Sequence, residues 1–504
     1  MHSNFINKNR KENQMKINKI NNTNFKSGLN IVSKALYALQ NNDMLNASFV
    51  DVFAMDTPRT IVEFNNRGKN AGIEMGFREY TGTFIAEFSA ALFAFLTSKV
   101  FSKVYKPEVK INSSSWATNN TLDTIKSIYD KSDKTTDGFI NEVLSSIKGI
   151  SGNKETDLAD SDTKNIKALF KDLIESNQDK KTQKTLVKNL QDEIISTLKA
   201  DNIITLKNGE KSVTSNLAHT IRDVVDISKN VLFKEGVDIK DALSKLKTMN
   251  KTRIAVAIPL SMGLAITNQY INRKLTKKRT GIDNFVCEND YEQNVKDKNQ
   301  SKNQKGLLFK KIASAGVFLL MLSKVMGLKQ PSDLVNKLEF TGAATGGNAI
   351  KTIYGTLILG RIFASKDSTE LRETNVRDYL GFLNWLVLGG FVSKGVAHIF
   401  DSKQQNLFNI TKEGKGIRHW LKDVSIKSQK EVFTGLNPSK NLKKLNIAQG
   451  AGILYSAVML GILLPKLNIW MTRRNKKQNA YNPAKNDTLL FKNKLPEIYK
   501  AFRK

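Results

Sequence analysis

Residues 445–465, LNIAQGAGILYSAVMLGILLP, run for 21 positions without a charge. A helix needs about 20 mainly apolar residues to cross a bilayer, because a span must satisfy its backbone hydrogen bonds internally. This stretch meets that length. Trp470 follows it, where an amphipathic ring suits a membrane boundary, and then comes the basic cluster Arg473, Arg474, Lys476 and Lys477. Whether it spans a membrane or fills a soluble core decides the fold of the whole chain.

Working outward, similar stretches recur. Ile254–Asn272 has 19 uncharged residues, Tyr379–Ser393 has 15 and Ile312–Ser323 has 12. Ala349–Ala364 is apolar apart from Lys351 and Arg361, and Thr83–Val104 apart from Glu87, Lys99 and Lys103. With their flanks these predict spans at 252–272, 306–328, 345–364, 379–400 and 445–470, preceded by a first hydrophobic helix that closes a helical segment, 28–105. Pro58 predicts a helix start within that segment. Small residues such as Gly342 and Gly346 allow close helix approach in lipid. A basic run from Arg273 to Arg279 follows the second stretch.

Charge is distributed unevenly. The chain carries 79 Lys+Arg against 47 Asp+Glu, net +32, yet residues 106–251 have a net of only +2. That unit repeats a 3.6-residue apolar period: Ile140, Val143, Leu144, Ile147; then Ile166, Leu169, Phe170, Leu173; then Leu186, Leu190, Ile194, Ile195, Leu198; then Val224, Val225, Ile227. Such stripes predict short helices with one buried face, and no convincing period-two alternation accompanies them. The expectation is a soluble, near-neutral helical bundle, 106–251, inserted between the first and second spans. A basic, disordered tail, 1–27, precedes it all. A hydrophobic region with basic loops occupies 252–470, and a basic tail, 471–504, closes the chain.

The positive-inside rule puts 272–311 (11 basic, 5 acidic) and 471–504 (10 basic, 2 acidic) on the cytoplasmic side, and six spans then place both termini there. Loop 401–444, with 10 basic and 4 acidic residues, falls outside and resists the rule. The competing expectation is a soluble helical core, which the charges inside the stretches favour.

Two places share a pattern. Glu74, Arg78, Glu79, Tyr80 and Gly82 precede the first apolar segment as E-x-x-x-R-E-Y-x-G. Glu373, Arg377, Asp378, Tyr379 and Gly381 repeat it as E-x-x-x-R-D-Y-x-G, 299 residues later. Glu and Arg four apart share a helix face and can pair, and tyrosine suits an interface. An internal duplication, as in transporters built from two halves, is one reading; a generic helix entrance is the other.

Little else announces chemistry. A single cysteine, Cys287, excludes a disulfide framework and a cysteine zinc site. The four histidines stand at no ligand spacing. Residues 345–352, TGGNAIKT, resemble a phosphate loop but carry Ile350 where glycine is required. No cofactor, metal or catalytic set is expected, and an enzyme is not expected. The basic clusters adjoin apolar segments, which points to anionic lipid head groups as partners rather than nucleic acid.

The sequence therefore predicts an all-α, polytopic membrane protein with an inserted helical bundle, placed by composition in a bacterial inner membrane. Its expected role is structural or passage of a solute, with Glu87, Lys351 and Arg361 as the intramembrane ionisable residues. The alternatives are a peripheral scaffold held to anionic membrane by basic loops and, more weakly, a lipid-acting enzyme.

Overall fold

The computed structural model describes residues 31–105, 117–150, 160–280, 304–410 and 414–480, less 177–178, 199, 331, 339, 342–343, 415 and 434. The tail 1–27, Cys287, Gly342 and residues 481–504 lie outside them. The structure is 82% helix and 6% strand, an all-α fold.

Helix α1 (Ile31–Gln40) leads to α2 (43–67), whose start is capped by Asn42 accepting from the Leu45 N–H. A π-helical stretch, Val50–Asp56, lies inside α2. Pro58 begins the α-helical part after this stretch rather than the helix itself; the wider turn accommodates its missing N–H. Gly68, at φ 93°, ends α2 in a left-handed conformation that a side chain would oppose. Helix α3 (69–105) returns, again through a π-helical stretch, Ile85–Ser89.

The inserted unit follows with α4 (Asn119–Lys131), α5 (Thr136–Ser146), β1 (Ile147–Ile150), α6 (Asp160–Glu175), α7 (Lys180–Leu198), β2 (Ala200–Asn208), β3 (Lys211–Asn216) and α8 (Leu217–Ile227). The strands form an antiparallel sheet in the order β1-β2-β3, so the unit is not purely helical. The expected stripes converge on one core, with Phe139, Ile166, Leu190, Ile194 and Val225 among its most buried side chains. Phe139, Tyr129 and Phe233 meet edge to face in its centre.

The chain then runs through α9 (Ile239–Thr280), α10 (Gln304–Val325), α11 (Gly347–Ala364), α12 (368–400) and α13 (438–480). Helix α12 is capped by Asp367, which accepts from the N–H groups of Thr369 and Glu370. It contains a π-helical stretch at Asn384–Leu388, and α13 one at Ala457–Leu463. Between α12 and α13 a smaller insert, 401–437, holds a two-stranded sheet.

Seven helices, α2, α3 and α9–α13, run end to end through one bundle. Among the described residues four segments are long and apolar enough to cross a membrane: Lys69–Phe101, Ile239–Thr280, Gly306–Val325 and Pro438–Arg474. Helix α2 is not among the six segments expected, since its ionisable residues lower its hydropathy. It starts at one end of the bundle, and α13 closes at the other.

Both inserts sit at one end, which also holds the starts of α2 and α11: the Gly347 N–H donates to Asp43. The other end gathers Arg67, Arg273, Arg279, Glu373 and Arg473. Exposed apolar side chains run along the bundle helices, with others on α1 (Ile31) and in the smaller insert (Ile417, Leu436). Phe84, Leu92 and Leu96 on α3, Leu260 and Ile271 on α9, and Phe309 and Leu320 on α10 all face outward. In the inserted unit Ile203 is the one large apolar side chain so exposed among the described residues. Soluble surfaces rarely carry contiguous apolar area, so this belt matches lipid contact.

Helices α2, α3 and α9 make one half of the bundle and α11, α12 and α13 the other, and their helix plans correspond. The α-helical part Lys69–Phe84, the π stretch Ile85–Ser89 and the restart at Ala90 recur 299 residues later as Ser368–Leu383, Asn384–Leu388 and Gly389. The packing also corresponds. Helix α9 lies along α3 and α11, as α13 lies along α12 and α2. A close approach marks each cross-half pair. A methyl built on Gly360 of α11 would lie 2.9 Å from the Ile266 carbonyl of α9, and one on Gly461 of α13 would lie 2.8 Å from the Ala54 carbonyl of α2.

Candidate functional site

The two echo motifs face each other in the bundle interior. Glu79, on α3, accepts from Arg59 of α2 (3.5 Å), Arg361 of α11 (3.4 Å) and Arg78 (3.3 Å). Arg361 also donates to Asp378 of α12 (3.2 Å), which accepts from its neighbour Arg377 at 2.8 Å. Arg78 pairs with Glu74 at 3.6 Å, as helical spacing predicts. The second motif is wired differently. Glu373 pairs with Arg67 of α2 at 2.9 Å, and Arg67 also meets Glu63 at 3.5 Å. Five acids and five arginines are thus gathered from both halves, so the set is charge-balanced. Arg59, Glu79 and Arg361 are each no more than 2% exposed.

The glycines of the echo make room for this. Gly82 stands against Arg361, 3.3 Å from its guanidinium for an added methyl, and Gly381 stands against Arg59 at 3.1 Å. Each half therefore lends an arginine to the other half's glycine. Polar side chains of α9 and α13 close the set from either side. Asn272 donates to Glu74 (3.2 Å), and Asn468 donates to the Glu373 carbonyl (3.0 Å).

Nearer the insert end lies a second cluster. Asp51 and Asp56 occupy the π stretch of α2, and Glu87 that of α3. Both aspartates are fully buried. Thr83 donates to Asp56 at 2.8 Å, and Ser48 donates to Glu87. The hydroxyl of Thr345 donates to the Glu87 carbonyl at 2.7 Å. Neither oxygen of Asp51 receives a donor, and one oxygen each of Asp56 and Glu87 is likewise buried without one. Wide helical turns recur at functional sites because they release backbone groups and re-aim side chains.

Taken together, Asp43, Ser48, Asp51, Asp56, Arg59, Glu63 and Arg67 make a polar column along α2. At a rise of 1.5 Å per residue it extends about 36 Å, against about 30 Å for a bilayer's hydrocarbon core. Helix α3 supplies the facing groups, from Glu74 to Glu87.

The other predicted residues are placed as follows. Lys351 lies half-buried near the start of α11, apart from the network. Tyr80 is partly exposed and shares a hydrogen bond with Thr57 (2.6 Å), while the Tyr379 hydroxyl donates to the Ser314 carbonyl. Arg59, Arg67, Asp51 and Asp56 were not singled out from sequence. Their ionisable stripe through α2 is the signal that could have found them. The helix start at Gly347, which resembles a phosphate loop, is met by the Asp43 carboxylate instead.

A polar junction joins the two inserts. The Asn202 N–H donates to Glu431 (2.8 Å), and Lys430 donates to Gln191 (2.9 Å) and pairs with Asp192. Burial holds the Lys430 ammonium below the usual lysine range. Burial, with the Glu431 charge adding to it, pushes the Asp201 carboxyl up to about 7. Burial also lowers His219 to about 4. Among the described residues no group of three or more His, Cys, Asp or Glu is arranged to hold a metal ion. In comparisons with known proteins the chain matches no family model, no curated protein and no solved structure.

Proposed function

We propose that this is an integral membrane protein of two related halves whose buried ionisable column gives a small ion or polar solute a route through the bilayer. The observation that carries the reading is the column itself. Charged groups in a membrane interior are costly, and those retained there commonly mark an ion or solute path. Both inserts lie at one end, which supports halves related by an axis along the membrane normal, as in parallel-repeat transporters.

The opposite end carries the basic clusters of α9 and α13, and we place it on the cytoplasmic side of a bacterial inner membrane, against anionic head groups. The basic loop 401–444 lies at the insert end, and part of its charge is engaged there: Lys430 pairs with Asp192, and Lys427 and Lys444 bond backbone carbonyls.

Two measurements test this. Membranes of expressing cells are washed with high salt and then alkaline carbonate, and the protein is expected in the pellet throughout. Vesicles of anionic phospholipid holding the purified protein are then given potassium, chloride or proton gradients. At least one gradient should collapse faster than in empty vesicles. Release by carbonate, or three gradients all as durable as in empty vesicles, refutes the reading.

A further inference from the structure

We propose that Asp51 and Glu87 form a proton-exchange site, in which one proton is held between two carboxyls and passes between the insert end and the interior of the column. The inference deepens the passage reading by naming the passenger, and it rests on that reading.

Asp51 receives no protein donor on either oxygen, although it is fully buried. The carboxyl brought to the same level is that of Glu87: Ser48, one turn before Asp51 on α2, donates to it. Two carboxyls buried side by side are not both anions; one holds a proton. The neighbours on every packed element agree with a proton rather than a larger ion. Asp56, Arg59 and Glu79 reach Asp51 through charge alone, from α2 and α3, and the Tyr354 hydroxyl of α11 lies against Met55. The facing stretches of α9 (254–272) and α13 (445–465) carry no charge.

The comparison between halves shows which of these groups the echo repeats. At the 299-residue offset, Glu74, Arg78, Glu79 and Gly82 recur as Glu373, Arg377, Asp378 and Gly381, but Thr83 and Glu87 meet Phe382 and Leu386. The motif is common to both halves, whereas Arg59, Glu63 and Arg361, which join the motifs, have no ionisable counterpart at that offset. The carboxyl pair likewise belongs to one half only.

Polar side chains flank the pair on both sides. Ser48, half-buried near the insert end, donates to Glu87. Asp56 and Thr83, bonded at 2.8 Å, lie on the side of Arg59 and Glu79. Transfer within the pair breaks an O–H bond on one carboxyl and forms one on the other, and the pair stays at −1. Release toward one side leaves two buried anions side by side, an unfavourable state that draws a proton from the other side. No electrons move.

The test uses the full-length protein in vesicles, with infrared difference spectra between acid and alkaline buffer. The wild type should show the carbonyl band of a protonated carboxylic acid, shifted in D2O, and the D51N/E87Q double variant should lose that component. Its paired amides hydrogen-bond each other without a proton, so an unchanged unfolding midpoint shows that it folds. Proton flux, followed by a trapped pH dye, should fall about a hundredfold in E87Q, the scale of losing a positioned proton-transfer group. A double variant with the wild-type spectrum, or E87Q with wild-type flux, overturns the proposal. Collapse of the potassium or chloride gradient alone also overturns it, but leaves the passage reading standing.

Discussion

Glu79 is the point at which the two halves are joined electrostatically, and its replacement by glutamine should be costly. The substitution keeps size and shape but removes one of five acids facing five arginines. Arg59, Arg78 and Arg361, all within 3.5 Å of Glu79, then share one uncompensated positive charge. Breaking a buried pair by removing one partner costs about 3–5 kcal/mol, because the remaining charge stays buried. The introduced amide keeps one oxygen acceptor, so the lower end, about 3 kcal/mol, is expected. The effect is measured by equilibrium unfolding in mixed micelles titrated with SDS. The same experiment on R361Q and on E79Q/R361Q completes a double-mutant cycle. The double variant restores neutrality and should be less destabilised than the two single variants added together, by at least about 1 kcal/mol. A cost for E79Q below about 1 kcal/mol, or strict additivity, would refute the view that this network clamps the halves through paired charge.

Other outcomes follow from the same geometry. Gly461→Ala places a methyl 2.5 Å from Pro58 Cβ and forces α13 away from α2, so it and Gly360→Ala should each lose about 1–3 kcal/mol in the micelle titration. Phe139→Ala empties the centre of the inserted unit at about 3–5 kcal/mol, and limited proteolysis should then cut within 117–238 while the bundle survives. Burial pushes the Asp201 carboxyl of the folded chain up to about 7, above the usual aspartate value of about 3.9. Its contribution to stability is therefore full below about pH 4 and is lost as pH rises through 7. Asp201→Asn should match the wild type in acid and exceed it at pH 8 by on the order of 1 kcal/mol, after allowance for partial exposure, as read from thermal unfolding at both pH values.

Much of the helical framework was legible because apolar runs and amphipathic stripes are local. Ile140, Val143 and Leu144 point inward as their spacing requires, and residues 445–465 are helical throughout. Strand β2 was not legible, since its buried positions include Asn202 while Ile203 is exposed, which inverts the alternation a strand reading looks for. Helix α2 was missed as a pass because Asp51, Asp56, Arg59 and Glu63 lower its hydropathy; in the fold all four are buried in the bundle interior. Glu87, Arg361 and the echo motifs were visible as charges in or beside apolar sequence, but their partners were not.

The sequence by itself determined that the chain is helical, where its long apolar helices lie, and that a near-neutral unit interrupts them, since each follows from residue type and short-range period. Only the tertiary structure decided that Glu79 meets Arg361, that Glu373 meets Arg67 rather than Arg377, and that Asp51 lies beside Glu87. The reason is physical. Hydropathy and helical period act within a few turns, whereas a buried charge takes whichever partner the packing of distant helices brings within about 4 Å, and here that packing joins residues as far apart as Arg59 and Leu460.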